Sequence, residues 1–482
     1  MKDYDEYDAT GLAELVATGQ VTPRELVEAA ISRIEERNPK INALSWTQFD
    51  AALAAAERPV SGPFAGVPFL AKDAGAAMRG EPHQFGCRVL REAGYVAEND
   101  SYLGIRFREA GFISLGRTTT PEFATSAVTE SSATGITRNP WDLDRITGGS
   151  SGGAGAVVAA RIIPAAHGND GAGSIRIPAA ATGCVGLKST RARVSNGPDA
   201  GEIWQGFAHQ GSLTRSVRDT AAILDAISGP FPGDPYVCPP PARPFVQEVG
   251  APTGRLRIGV MTSLPGFDTH ADCVTAVEDT VRMLEALGHE VVEAEPDAYG
   301  RWIDMLPVFT DLIASYVAAD LKFIEMLAGR TVDITEFDSA NQHYAGIGQH
   351  VTTADFIEAI DVLQRWGRDV ASWWHEGNPE ILLTPTIAGP AARIGELDID
   401  LNDPEASLHR HYSFFPYTPA FNVSGQPAIS LPMHRNAEGL PIGVQFVSAY
   451  GRDDVLIRLA SQLEAAYPWD AHRPAWIAEP SA

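Results

Sequence analysis

Two short glycine loops carry the residues best suited to chemistry. Residues 148–153 read GGSSGG and residues 168–174 read GNDGAGS, so Ser150, Ser151 and Ser174 all sit among glycines. Glycine serves where the backbone takes unusual dihedrals or approaches something closely, and it weakens a chain elsewhere. The two loops therefore mark a site. A phosphate cradle of backbone N–H groups is the first chemistry to test, but neither loop contains GK[ST], and GGAGAV does not complete GxGxxG. The run Gly148-Gly149-Ser150-Ser151-Gly152 formally matches GxSxG. That nucleophile elbow requires a hydrophobic strand just before the serine, whereas RNPWDLDRIT is polar and turn-like, and no downstream histidine lies in a recognisable motif. A third reading joins the serines to Lys72.

Lys72 and Asp73 end the short apolar run VPFLA, which reads as a buried strand over 67–71. The ends of such strands are where α/β folds keep their working groups. Upstream, Thr22, Pro23 and Glu25 form a capping box that starts a helix over about 23–37. A helix over 100–110, a strand FISLG, a small-residue helix AGAVVAAR, the apolar run IIPAA, a short helix from SIRIPAAATG and a strand CVGLK continue the alternation. Residues 213–228 read as an amphipathic helix and 230–245 as a proline-rich connection. A second block follows with LRIGV, a helix over 272–287 and HEVVEAEP, then a helical stretch over 299–377, and finally strands over 380–386, 427–433 and 441–449 and a helix over 453–466. This alternation predicts an α/β fold: a large mixed β-sheet covered on both faces by helices, in one domain spanning 1–482, with 299–377 a helical insertion shaping the substrate pocket. Trp302, Phe309, Tyr316 and Trp366 are its aromatic candidates for pocket lining or core.

Lys plus Arg number 37 against 61 Asp plus Glu, a formal net charge of −24, which disfavours nucleic acid and anionic membranes as partners. No stretch reads as a membrane span, the longest candidate at Val157–Ala166 being broken by Arg161. The acidic start MKDYDEYDAT lacks a signal-peptide layout, so a cytoplasmic location is expected. Cys87, Cys184, Cys238 and Cys273 are scattered without a CxxC pair, which supports neither a disulfide framework nor a zinc site.

The stretch GGSSGGAGAVVAARIIPAAHGNDGAGSIRIPAAATGCVGLKST, with GVPFLAKD placed separately upstream, resembles the amidase signature family of serine hydrolases. Further similarity lies in TRNPWD, GSLTRSVRD, FNVSGQPAISLP and GLPIGVQFV. Two departures stand out: the family's usual GTDxGGS is GNDGAGS here, and its GLKPT is GLKST.

The resemblance implies a triad of Ser174 as nucleophile, Ser150 after a cis peptide bond as proton relay, and Lys72 as base. It implies an oxyanion hole from the backbone of Gly171, Ala172, Gly173 and Ser174, with Ser151, Asp170 and Arg176 in support. A neutral Lys72 requires burial, since low-dielectric surroundings disfavour the charged form. The implied reaction is hydrolysis of a small-molecule amide through an acyl-enzyme, with no metal or organic cofactor, in a chain that could form a homodimer. HGNDGAGSIRIPA and PIGVQFVSAYGRDD resemble the branch acting on cyclic or linear 6-aminohexanoate (nylon) oligomers. Aryl amides and carbamates are the alternative substrates, and a glutamine-hydrolysing amidotransferase A subunit is the more distant one.

Overall fold

The computed structural model describes residues 1–375 and 377–478. Its centre is an 11-stranded sheet. In chain order the strands are β1 (Leu44–Thr47), β2 (Pro68–Lys72), β3 (Ile113–Thr118), β4 (Ala165–Asp170), β5 (Val185–Lys188), β6 (His209–Thr214), β7 (Arg257–Val260), β8 (Glu290–Glu293), β9 (Ile381–Pro385), β10 (Ala428–Arg435) and β11 (Pro441–Ser448). They lie side by side as β1-β3-β2-β4-β6-β5-β10-β11-β9-β7-β8. β2 runs parallel to both β3 and β4, and β7 runs parallel to β8 and β9. The pairs β4–β6, β5–β10, β10–β11 and β9–β11 are antiparallel, so the sheet is mixed.

Alternate residues of one strand join opposite cores, as period-two side chains must. Ile381 and Leu383 pack with Ile429 and Phe446 on one face, and Leu382 packs with Ala428 and Val447 on the other. Helices cover both faces. The first core holds α1 (Pro23–Ile41), α2 (Gly152–Ala159) and the C-terminal helix 453–466. α1 starts at the expected capping box and runs four residues further than expected, through Pro39, to a left-handed Asn42. Proline in a last turn gives up one N–H bond without breaking the turns before it.

Three segments differ from the sequence reading. The strand before the second serine loop is not the apolar run IIPAA but AAHGND, whose polar half stays paired with β6. Residues 213–214 belong to β6, and the helix expected over 213–228 covers only Val217–Ile227, capped by Ser216. β6 escaped notice because HQGSLT is polar by composition although every one of its residues is buried. The third is the stretch Asp297–Ala328, which by length and composition is apolar enough to cross a membrane. Most of it is the helix α3 (Trp302–Ala328), and its Trp302, Phe309, Leu312, Ile313, Val317 and Ile324 are buried in the second core.

Candidate active site

Parallel pairing of β2 and β4 brings their C-terminal ends to the same sheet edge, and with them Lys72 and Asn169. α2 starts beside that edge. The glycines just before it and at its start answer a packing need: a Cβ on Gly149 would lie 2.7 Å from the backbone of Ser126 and Ala127, and one on Gly153 would lie 2.6 Å from the backbone of Thr119. The close approach holds Ser150, which follows a cis Gly149–Ser150 peptide bond, over β2.

Lys72 is fully buried, and its Nζ lies 2.7 Å from Ser150 Oγ, 3.1 Å from Ser151 Oγ and 2.6 Å from Asn169 Oδ1. Burial drives its pKa well below the usual lysine value, against a smaller opposing pull from Asp170. Asp73 is no partner: it accepts from the N–H of Gln84 at 2.7 Å and that of Gly86 at 3.3 Å, and burial raises it to about 6. Ser151 Oγ is 3.1 Å from Asn169 O and 3.3 Å from Asn169 N, so it ties α2 to β4.

Asp170 and Arg176 form a buried, two-pronged ion pair, Nε to Oδ2 at 2.9 Å and Nη2 to Oδ1 at 2.8 Å. Burial would raise the Asp170 pKa, but the Arg176 charge and hydrogen bonds, with help from Asn422, hold it at about 2. The carboxylate also accepts from Gly173 N at 2.7 Å and Ile175 N at 3.2 Å. Within the expected oxyanion set the backbone N–H groups are not equivalent. The Gly173 N–H is spent on Asp170, whereas no hydrogen bond engages the N–H groups of Gly171, Ala172 or Ser174 among the described residues. The Ala172 carbonyl is fixed by Thr418 Oγ1 at 2.6 Å.

Ser150 and Ser174 line one cavity of about 630 Å³, a volume suited to a small organic molecule. A larger groove of about 1020 Å³, lined by Met261, Glu295 and Trp373 among others, contains neither the serines nor Lys72. No hydrogen bond joins the Ser150 and Ser174 hydroxyls among the described residues, although Ser151 N donates to Ser174 O at 3.2 Å. Trp204 lies against the second glycine loop, so close that a Cβ on Gly171 would meet its ring at 2.7 Å. The adjacent Gln205 donates through N (3.2 Å) and Nε2 (3.0 Å) to Tyr316 Oη, fastening this loop to α3.

Of the four aromatic candidates, Tyr316 lines this cavity and Phe309 lines a small adjoining one next to Ser174. Trp302 and Trp366 stack on each other, ring centres 5.4 Å apart, in the core. Sequence reading missed Asn169, Trp204, Thr418 and Asn422. Asn169 lies within the second glycine loop motif GNDGAGS, and the strand register that turns it toward Lys72 carries no motif. Asn422 lies in the quoted FNVSGQPAISLP, but its bond to Asp170 spans 252 residues.

The amidase family matches residues 25–457. A 6-aminohexanoate-cyclic-dimer hydrolase from Paenarthrobacter ureafaciens is 42% identical over 97% of this chain and 96% of its own. The structure of a 6-aminohexanoate cyclic dimer hydrolase complexed with substrate superposes with a TM-score of 0.93 at 40% identity, covering 98% of this chain and 100% of that one. A bacterial aryl acylamidase of the amidase signature family superposes with a TM-score of 0.88 at 27% identity over 98% of this chain and 99% of that one. With similarity running nearly end to end in both sequence and fold, the chain belongs to the amidase signature family, hydrolases of carbon–nitrogen bonds other than peptide bonds.

Proposed function

We propose that the protein hydrolyses a small amide with Ser174 as nucleophile, Ser150 as proton relay and Lys72 as base. The observation that carries this reading is the set of three partners around Lys72 Nζ. A neutral amine has two N–H donors and one lone pair. The Asn169 side-chain carbonyl can only accept, and Ser151 Oγ, placed to donate to Asn169 O, accepts from Lys72. Both donors are then used, and the lone pair faces the Ser150 hydroxyl at 2.7 Å. Ser150 can pass a proton to Lys72 and take one from Ser174 as its oxygen attacks the amide carbonyl. The N–H groups of Gly171, Ala172 and Ser174 supply donors for the oxyanion, each worth about 2.7 to 4 kcal/mol where such donors have been removed in other hydrolases. Collapse breaks the C–N bond, and the proton returns along the same path to the leaving amine. Water then releases the acyl group by the same relay.

The 6-aminohexanoate cyclic dimer is the favoured substrate, supported by 42% identity to hydrolases of that name. An aryl amide is the second reading, favoured by the aryl acylamidase superposition. Mass-spectrometric detection of ring opening, with an anilide run in parallel, tests both. Ser174→Ala and Lys72→Ala should each cut turnover by roughly 10⁴-fold or more while leaving the circular dichroism unchanged. Normal turnover by either variant would sink the triad. Anilide cleavage without ring opening would keep the chemistry and move the substrate.

A further inference from the structure

One wall of the reactive cavity is a stripe of α3: Tyr316, Asp320, Phe323, Ile324 and Leu327. Their spacing of three and four puts them on one helix face. Four of the five suit a hydrocarbon chain. Asp320 does not; it is half-buried in the cavity wall and makes no hydrogen bond or salt bridge among the described residues. Glu98, Asp199 and Glu202 also line the cavity, and among the described residues no Lys or Arg does. The one histidine there, His83, is held neutral, burial pushing its pKa down to about 3.

We infer that Asp320 receives an alkylammonium group, in the favoured ring opening the amine freed at the far end of the acyl chain, so that the cavity holds chains ending in an ammonium and disfavours those ending in a carboxylate. The inference rests on the amidase reading for the reaction and adds the end group that the cavity holds. A carboxylate set in a mostly apolar wall without a partner is unfavourable. Burial alone raises its pKa to about 7. A bound ammonium relieves that cost with a charge-assisted hydrogen bond, and the flanking Phe323, Ile324 and Leu327 take up the methylenes. Helix geometry sets Asp320 one turn, about 6 Å along the axis, beyond Tyr316, which is itself tied to the Trp204 loop over Gly171. The ammonium is thus received away from the serines rather than at them.

Calorimetric titration at pH 8, where Asp320 is ionised, tests this with hexylammonium chloride, 1-hexanol and sodium hexanoate as probes. The full-length protein should bind hexylammonium at least about tenfold more tightly than hexanol, the difference a charged hydrogen bond supplies, and hexanoate more weakly than either. In Asp320→Asn the ammonium preference should fall to near one, and Asp320→Glu should keep part of it. Equal affinities in the parent protein, or a preference unchanged in folded Asp320→Asn, would overturn the inference. Because the titration needs no turnover, it separates this failure from that of the amidase reading. An intact ammonium preference with no Ser174-dependent hydrolysis would remove only the latter.

Discussion

Lys72 can hold its three partners in two ways, and its protonation state decides between them. As an ammonium it has three donors and would take the Ser150 oxygen as an acceptor; as a free amine it accepts the Ser150 proton instead. Burial favours the amine. In its proposed role as base, Lys72 therefore works above its own depressed pKa and fails as pH falls through it. A profile of kcat/KM against pH should show an acid limb well below 10.5, the value of an ordinary lysine. A rate that climbs until that ordinary value is reached would show an unperturbed lysine and contradict the geometry. The stability linkage has the same sign. The unfolded lysine takes up its proton near its ordinary value and the folded one only far below it, so stability due to this group falls as pH falls across that window.

Elements, rather than single residues, place the serines. α2 is built from Gly, Ala and Val with every residue buried, and it can press against Thr119 only because Gly153 has no side chain. Gly153→Ala should force that contact apart, lowering stability by roughly 1 to 3 kcal/mol and, by moving Ser150 off Lys72, cutting kcat more than KM. Denaturant titration with steady-state kinetics would check both, and a variant that is stable and fully active would refute the packing account. What the sequence made legible follows this scale. Lys72 at a strand end and the serines in glycine loops carry local signatures, and so do the helices expected over 23–37 and 272–287, which the structure places at Pro23–Ile41 and Ala271–Ala286. β6 and the polar half of β4 were hidden because burial of polar residues depends on neighbours distant in the chain. The spent Gly173 N–H was hidden for the same reason, since only the folded turn aims the Asp170 carboxylate back at it.

At the scale of the whole molecule, charge dominates. A formal net charge of −24 implies self-repulsion that destabilises the compact state, and salt screens it over about 8 to 10 Å at moderate ionic strength. The melting temperature should therefore rise by roughly a few degrees between low salt and about 0.5 M NaCl. A flat or falling melting temperature in calorimetry would place the acidic residues in locally compensated pairs instead. The Asp170–Arg176 pair is such a compensated unit, and it is wired far beyond its own loop. Arg176 reaches Thr418 O at 2.9 Å, Gln445 Oε1 at 2.7 Å and Asn422 Oδ1 at 2.5 Å.

That wiring has a consequence in time as well as in space. During synthesis, Lys72, Ser150 and Ser174 all leave the ribosome well before Thr418, Asn422 and Gln445. A nascent chain of about 400 residues would hold all three residues proposed to react, yet lack the partners that clamp Arg176 beside them. Under the proposed mechanism, hydrolytic competence is thereby deferred to the last strands translated.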